Sequence, residues 1–114
     1  MEPTPFYKAL ADDTRLRCLL LILREEELCV CELTAALGES QPKISRHLAQ
    51  LRRGDILQDR RQGQWVFYRL DPALPSWARA VLAATLDANP DFVAANIANL
   101  CRMGDRPTRA RACC

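Results

Sequence analysis

Ser40-Gln41-Pro42-Lys43-Ile44-Ser45-Arg46-His47-Leu48-Ala49-Gln50-Leu51 reads as one capped helix with two unlike faces. Ser40 offers a short side-chain oxygen to the free N–H groups of the first turn. Pro42 falls in that turn, where its missing N–H costs little. Ile44, Leu48 and Leu51 recur at i, i+4 and i+7, so one face is buried. Gln41, Lys43, Ser45, Arg46 and His47 are left largely outside that face, and Gly54 closes the helix. Upstream, a short helix is expected from about Cys29 or Val30 to Leu37, ended by Gly38. Downstream the period changes. Ile56 to Arg61 and Trp65 to Leu70 read as two strands around Gln62-Gly63-Gln64. Arg60, Arg61, Gln62 and Gln64 crowd the hairpin tip, and Asp71-Pro72 and Pro75 terminate it. Short helix, glycine turn, capped helix and basic hairpin, in that order, predict a winged helix-turn-helix: mainly α with a β-hairpin wing.

Before this unit, Pro3 and Pro5 allow a short first helix with Phe6, Leu10 and Tyr7 on its apolar side. Asp12 or Asp13 caps a second helix, striped by Leu16, Leu19, Leu20 and Leu23, with Cys18 as a small buried thiol. Glu25-Glu26-Glu27 reads as a solvated turn. After the hairpin, Ser76 to about Ala88 forms a fifth helix, with Trp77, Ala80, Val81, Ala84 and Leu86 available for packing. Asn89-Pro90 then starts a sixth, to about Arg102, or kinks the fifth. Residues 1–102 thus make one winged helix-turn-helix domain, and residues 103–114 a flexible basic tail ending in Cys113-Cys114.

The 114 residues suit one domain with a modest core, and the net charge of +2 hides a strong asymmetry. Residues 1–42 carry four basic and eight acidic side chains, while residues 43–69 carry seven basic and two acidic. A basic block in the middle of a small domain points to an anionic polymer, here double-stranded DNA. Gln41, Lys43, Ser45 and Arg46 can reach base edges and phosphates in the major groove, with His47 beside them. Arg60, Arg61 and Gln62 can meet phosphates or the minor groove from the wing. No apolar run approaches a membrane span and Met1-Glu2-Pro3-Thr4 does not open a signal peptide, so the expected location is cytoplasmic, with no membrane partner. In a reducing compartment six cysteines read as ligands or redox thiols rather than disulfides. With no Cys-x-x-Cys, no nucleophile–base pair and no cofactor loop, the chain does not read as an enzyme.

Cys29-Val30-Cys31 places two thiols at the start of the helix that precedes the DNA-reading helix. On a regular helix, residues two apart point about 200° away from each other. A soft ion gripped by both is therefore expected to distort the segment, which makes the pair a sensor. His47, as the only histidine, cannot build a multi-histidine metal site within one chain.

Leu28-Cys29-Val30-Cys31-Glu32-Leu33, followed by Ser40-Gln41-Pro42-Lys43-Ile44-Ser45-Arg46-His47-Leu48 and then Arg61-Gln62-Gly63-Gln64-Trp65-Val66-Phe67-Tyr68-Arg69-Leu70, resembles the arsenical-resistance operon repressors of the ArsR/SmtB family over roughly residues 5–85. The resemblance implies a homodimeric winged-helix repressor whose terminal helices form the dimer interface. It implies release of operator DNA when trivalent arsenic or antimony, the inducer, binds cysteine thiolates, with no catalytic cofactor. In the family's best-known arrangement a third cysteine follows the pair by three residues, where this chain has Thr34, a poor ligand for a soft ion. The third position is then open to Cys113 or Cys114, to water or a small thiol, or to a methylated arsenical that needs only two protein thiols. Cys101 with Cys113 and Cys114 makes a rival site. The alternatives on the same fold are a redox-sensing repressor and a cadmium or lead sensor.

Overall fold

A computed structural model of the chain describes residues 1–105; Cys113 and Cys114 lie outside the described residues. The elements run α1 Pro3–Leu10, α2 Asp13–Glu25, β1 Leu28–Cys29, α3 Val30–Leu37, α4 Gln41–Arg53, β2 Leu57–Gln62, β3 Trp65–Leu70, α5 Ser76–Ala88, a 3-10 turn Pro90–Phe92 and α6 Ala94–Arg102. Helix starts and stops follow local chemistry. The Asp12 carboxylate accepts the Arg15 N–H at 3.0 Å, and the Ser40 hydroxyl accepts the Lys43 N–H at 3.4 Å. Gly38 ends α3 in the left-handed region at φ 66°, donating its N–H to the Thr34 carbonyl at 2.9 Å. At the end of α4 the left-handed residue is Asp55 (φ 62°), while Gly54 keeps φ −84°. Gly54 closes the helix as expected, and the left-handed turn follows one residue later. Of the two expected arrangements after α5, the chain takes the separate sixth helix, entered through the 3-10 turn.

The core surrounds α2. Cys18, Leu19, Leu20, Leu21 and Ile22 are all fully buried, so this helix is enclosed rather than striped. It packs against α1 and α5 on one hand and α4 and β3 on the other. Leu16 and Leu23, expected inward, are only half-buried. In α1, Phe6 is buried and Leu10 half-buried, but Tyr7 is exposed. Helix α5 buries Ala78 and Leu82 and leaves Trp77, Ala80 and Ala84 exposed. Among the described residues no helix is long and apolar enough to cross a membrane.

One element escapes the period-based reading. Strand β1, two residues long, joins the hairpin to make a three-stranded antiparallel sheet in the order β1-β3-β2. Leu28 pairs with Tyr68 and Cys29 with Phe67. Two residues are too few to show alternation. The result is a winged helix-turn-helix, α3-turn-α4-β2-β3, whose wing is sewn by β1 to the segment leading into α3.

Candidate thiol switch and DNA-reading face

Cys29 stands outside α3, in extended backbone at φ −85° and ψ 162°, as the residue that caps the helix. Cys31 follows inside the first turn. The opposed directions expected for two residues of one helix therefore do not apply. The two sulfurs lie 3.7 Å apart, close to the edge of about 3.8 Å between two thiolates held some 2.3 Å from a tetrahedral ion. Cys31 is disulfide-bonded in this structure, against the expectation of free thiols, so the pair offers two thiolates only once that bond is reduced. A soft ion can then be gripped without uncoiling α3. Any strain of binding falls instead on the junction of β1 and α3. That junction is held by Glu32, which is fully buried and accepts the Cys29 N–H at 2.9 Å in a capping box.

No third sulfur comes from α3. Thr34 turns its hydroxyl back to donate to the Val30 carbonyl at 2.9 Å. Among the described residues no group of three or more His, Cys, Asp or Glu side chains is placed to hold a metal ion. Cys101 is exposed near the end of α6, and its expected partners Cys113 and Cys114 lie outside the described residues. Cys18 is buried in α2, and desolvation, aided by the charge of Asp12, pushes its thiol up to about 12. It stays protonated and offers no thiolate.

Helix α4 presents Gln41 and Arg46 exposed and Lys43, Ser45 and His47 half-buried. The Gln41 amide donates to the Ser45 hydroxyl at 2.8 Å, and the Lys43 ammonium sits 3.1 Å from the Glu39 carboxylate. His47 lies toward α2, where its Nδ1 is 3.4 Å from an Arg15 guanidinium nitrogen. Burial holds its pKa below the usual value; the Asp12 charge works against that and Arg15 with it. Arg15 itself donates to the Ala9 carbonyl at 2.8 Å and to the Gln50 side chain at 3.4 Å, tying the end of α1 to α4.

On the wing, Arg61 and Gln62 are exposed. Arg60 is engaged: Glu27 accepts from its Nε at 3.1 Å and its Nη2 at 2.6 Å, and Gln62 from its Nη1 at 2.7 Å. Glu27 is thus a partner of the wing and not part of a merely solvated acidic turn. Its signal in the sequence was its place two residues before Cys29, in step with a strand too short to recognise. The buried carboxylate of Glu32 and the Arg15 node carried no signal beyond their charge.

Residues 12–59 match the family described as bacterial regulatory protein, arsR family. The chain is 57% identical over 113 residues to the arsenic resistance transcriptional regulator ArsR1 of Pseudomonas putida, across 99% of this chain and 88% of that protein. It is 49% identical over 100 residues to the arsenical resistance operon repressor of Escherichia coli, across 88% and 86%. The crystal structure of the AntR antimony-specific transcriptional repressor superposes with a TM-score of 0.64 at 32% identity, covering 75% of each chain. With fold, helix order and near full-length identity in agreement, the chain belongs to the arsR family of bacterial regulatory proteins.

Proposed function

We propose that this protein is an arsenite- and antimonite-responsive transcriptional repressor: a homodimer that holds operator DNA and releases it when the trivalent metalloid bonds to Cys29 and Cys31. The observation that carries the reading is the 3.7 Å separation of the two sulfurs at the joint between the wing's sheet and the helix that supports α4. A ligand there touches both DNA-contacting parts at once. Gln41, Lys43, Ser45 and Arg46 serve base edges and phosphates in the major groove. Arg60, Arg61 and Gln62 serve the backbone beside it. His47, set back against Arg15, fixes the pitch of α4 at the margin of the contact. Two copies place their α4 helices about one DNA turn apart on a two-fold operator.

Arsenic as As(III) takes three ligands, and the pair supplies two. Cys113 or Cys114, or a small thiol or water, completes the set; the names of the relatives favour a metalloid over cadmium, lead or an oxidant. An allosteric coupling of about 3 kcal/mol, the upper end of the usual range, gives roughly 150-fold weaker DNA binding. The test is operator release by arsenite, antimonite, cadmium and peroxide, on wild type, Cys29→Ser/Cys31→Ser and a chain lacking residues 103–114. Wild type is expected to dissociate with arsenite or antimonite, and the double variant to stay bound. Release of the double variant at the wild-type arsenite concentration overturns the site. Weaker response of the truncated chain assigns the third ligand to the tail.

A further inference from the structure

Cys29, Phe67 and Arg60 form one row across the sheet: Cys29 pairs with Phe67, and Phe67 with Arg60. Directly paired residues share a face, and Glu27, two positions before Cys29, falls on that face by the strand period. The side chains meet accordingly. The Arg60 guanidinium lies 4.7 Å from the centre of the Phe67 ring, and Glu27 holds its Nε and Nη2 on its two carboxylate oxygens at 3.1 and 2.6 Å. That two-pronged grip is the one a DNA phosphate would take on the same fork.

We propose that Glu27 is an internal competitor of the operator: it and a DNA phosphate exchange for the Arg60 guanidinium, and inducer at Cys29 biases the exchange toward Glu27. The inference rests on the repressor reading above. The Nε–Nη2 fork holds one oxyanion at a time and Nη1 is already given to Gln62, so Arg60 cannot offer that fork to both carboxylate and phosphate. The row across the sheet supplies the link to the thiols. With Cys29 unbridged, β1 is held to β3 by two residue pairs and by the Glu32 cap, a short element that opens readily when a phosphate draws Arg60 away. Bridging Cys29 to Cys31 pins β1 to the first turn of α3. Glu27 is then fixed opposite Arg60, and the carboxylate gains over the phosphate because its ordering cost is already met.

The experiment uses the full chain and a duplex that wild type selects from a random pool, with affinity read by fluorescence anisotropy at several salt concentrations. The variants are Glu27→Gln, Arg60→Gln, both together, and Glu26→Gln as a charge control one residue away. Arg60 and Glu26 are exposed and Glu27 half-buried, so the fold tolerates each change. Without arsenite, Glu27→Gln is expected to tighten binding about three- to tenfold and Glu26→Gln by less. Arg60→Gln should weaken binding and lower the salt slope by about 0.9 for each subunit. On the Arg60→Gln background, Glu27→Gln should do nothing. The ratio of operator Kd with saturating arsenite to that without should fall about threefold or more in Glu27→Gln. An equal gain from Glu26→Gln, a gain that persists without Arg60, no gain, or an unchanged arsenite ratio overturns the proposal. If wild type selects no duplex, it is the repressor reading that fails.

Discussion

Cys18 and Cys29 are both fully buried thiols, yet their surroundings suit them to opposite tasks. Cys29 caps α3, where the helix start favours negative charge and the Cys31 sulfur lies 3.7 Å away. Cys18 lies mid-helix among Leu19, Leu20, Leu21 and Ile22, where nothing compensates a charge. Burial raises its pKa from 9.0 to about 12. This has a signed consequence. Below pH 9 the thiol is protonated in both folded and unfolded chains and contributes no pH dependence. Between about 9 and 12 the unfolded chain loses the proton while the folded chain keeps it, so stability falls as pH rises, by up to about 1.4 kcal/mol per pH unit. Urea unfolding of wild type and Cys18→Ala at pH 8 to 11 measures the difference. The variant should lose less stability on the alkaline side, and parallel curves would show that Cys18 ionises freely in the fold.

At the scale of elements, Arg15 joins three helices. It donates to the Lys8 and Ala9 carbonyls at the end of α1, springs from α2, and reaches His47 and Gln50 of α4. Arg15→Met should cost about 1–3 kcal/mol in urea unfolding, since it strips partners from half-buried polar groups. It should also move the His47 titration upward, as read by the imidazole Cε1 proton in NMR. His47 is held below 6.5 first by burial and then by Arg15, Arg46 and Lys43, so an unmoved titration would leave burial and the two α4 cations as the causes. The same elements show what a sequence can disclose. Helix α4, its Ser40 cap, the Gly38 stop and the hairpin were legible because each writes a local period or a turn residue. The thiol pair was legible as a pair, and its geometry was not. Whether Cys29 caps the helix or sits within it depends on a two-residue strand pairing 38 positions away in Phe67, which leaves no period. Arg15, Glu27 and Glu32 act through contacts distant in sequence or through burial, and charge alone does not distinguish them from solvated neighbours.

The described residues span 38 × 31 × 22 Å and carry a single α4, so reading a two-fold operator one DNA turn apart takes two copies side by side. Under the repressor reading that pairing needs a surface, and an aromatic one is exposed. Tyr7 is 51% and Trp77 38% exposed, and both rings stand on Phe6, with centroids 5.5 and 5.2 Å from it. Trp77, Ala80 and Ala84 continue the patch along α5 at helical spacing, away from the face that buries Ala78 and Leu82. Apolar residues that a helix does not spend on its own core, gathered on α1 and α5, suit a second copy of the same chain. Trp77→Glu sets a carboxylate against its counterpart or against apolar rings across that interface, while touching no DNA-facing residue. Sedimentation should report a species near twice 12.9 kDa for wild type and near 12.9 kDa for the variant. Operator affinity should fall by at least about tenfold, since each monomer then meets one half-site alone. A variant that stays dimeric would place the interface elsewhere. A variant that is monomeric yet binds as tightly as wild type would mean that one α4 and one wing suffice, and would remove the need for symmetry from the repressor reading.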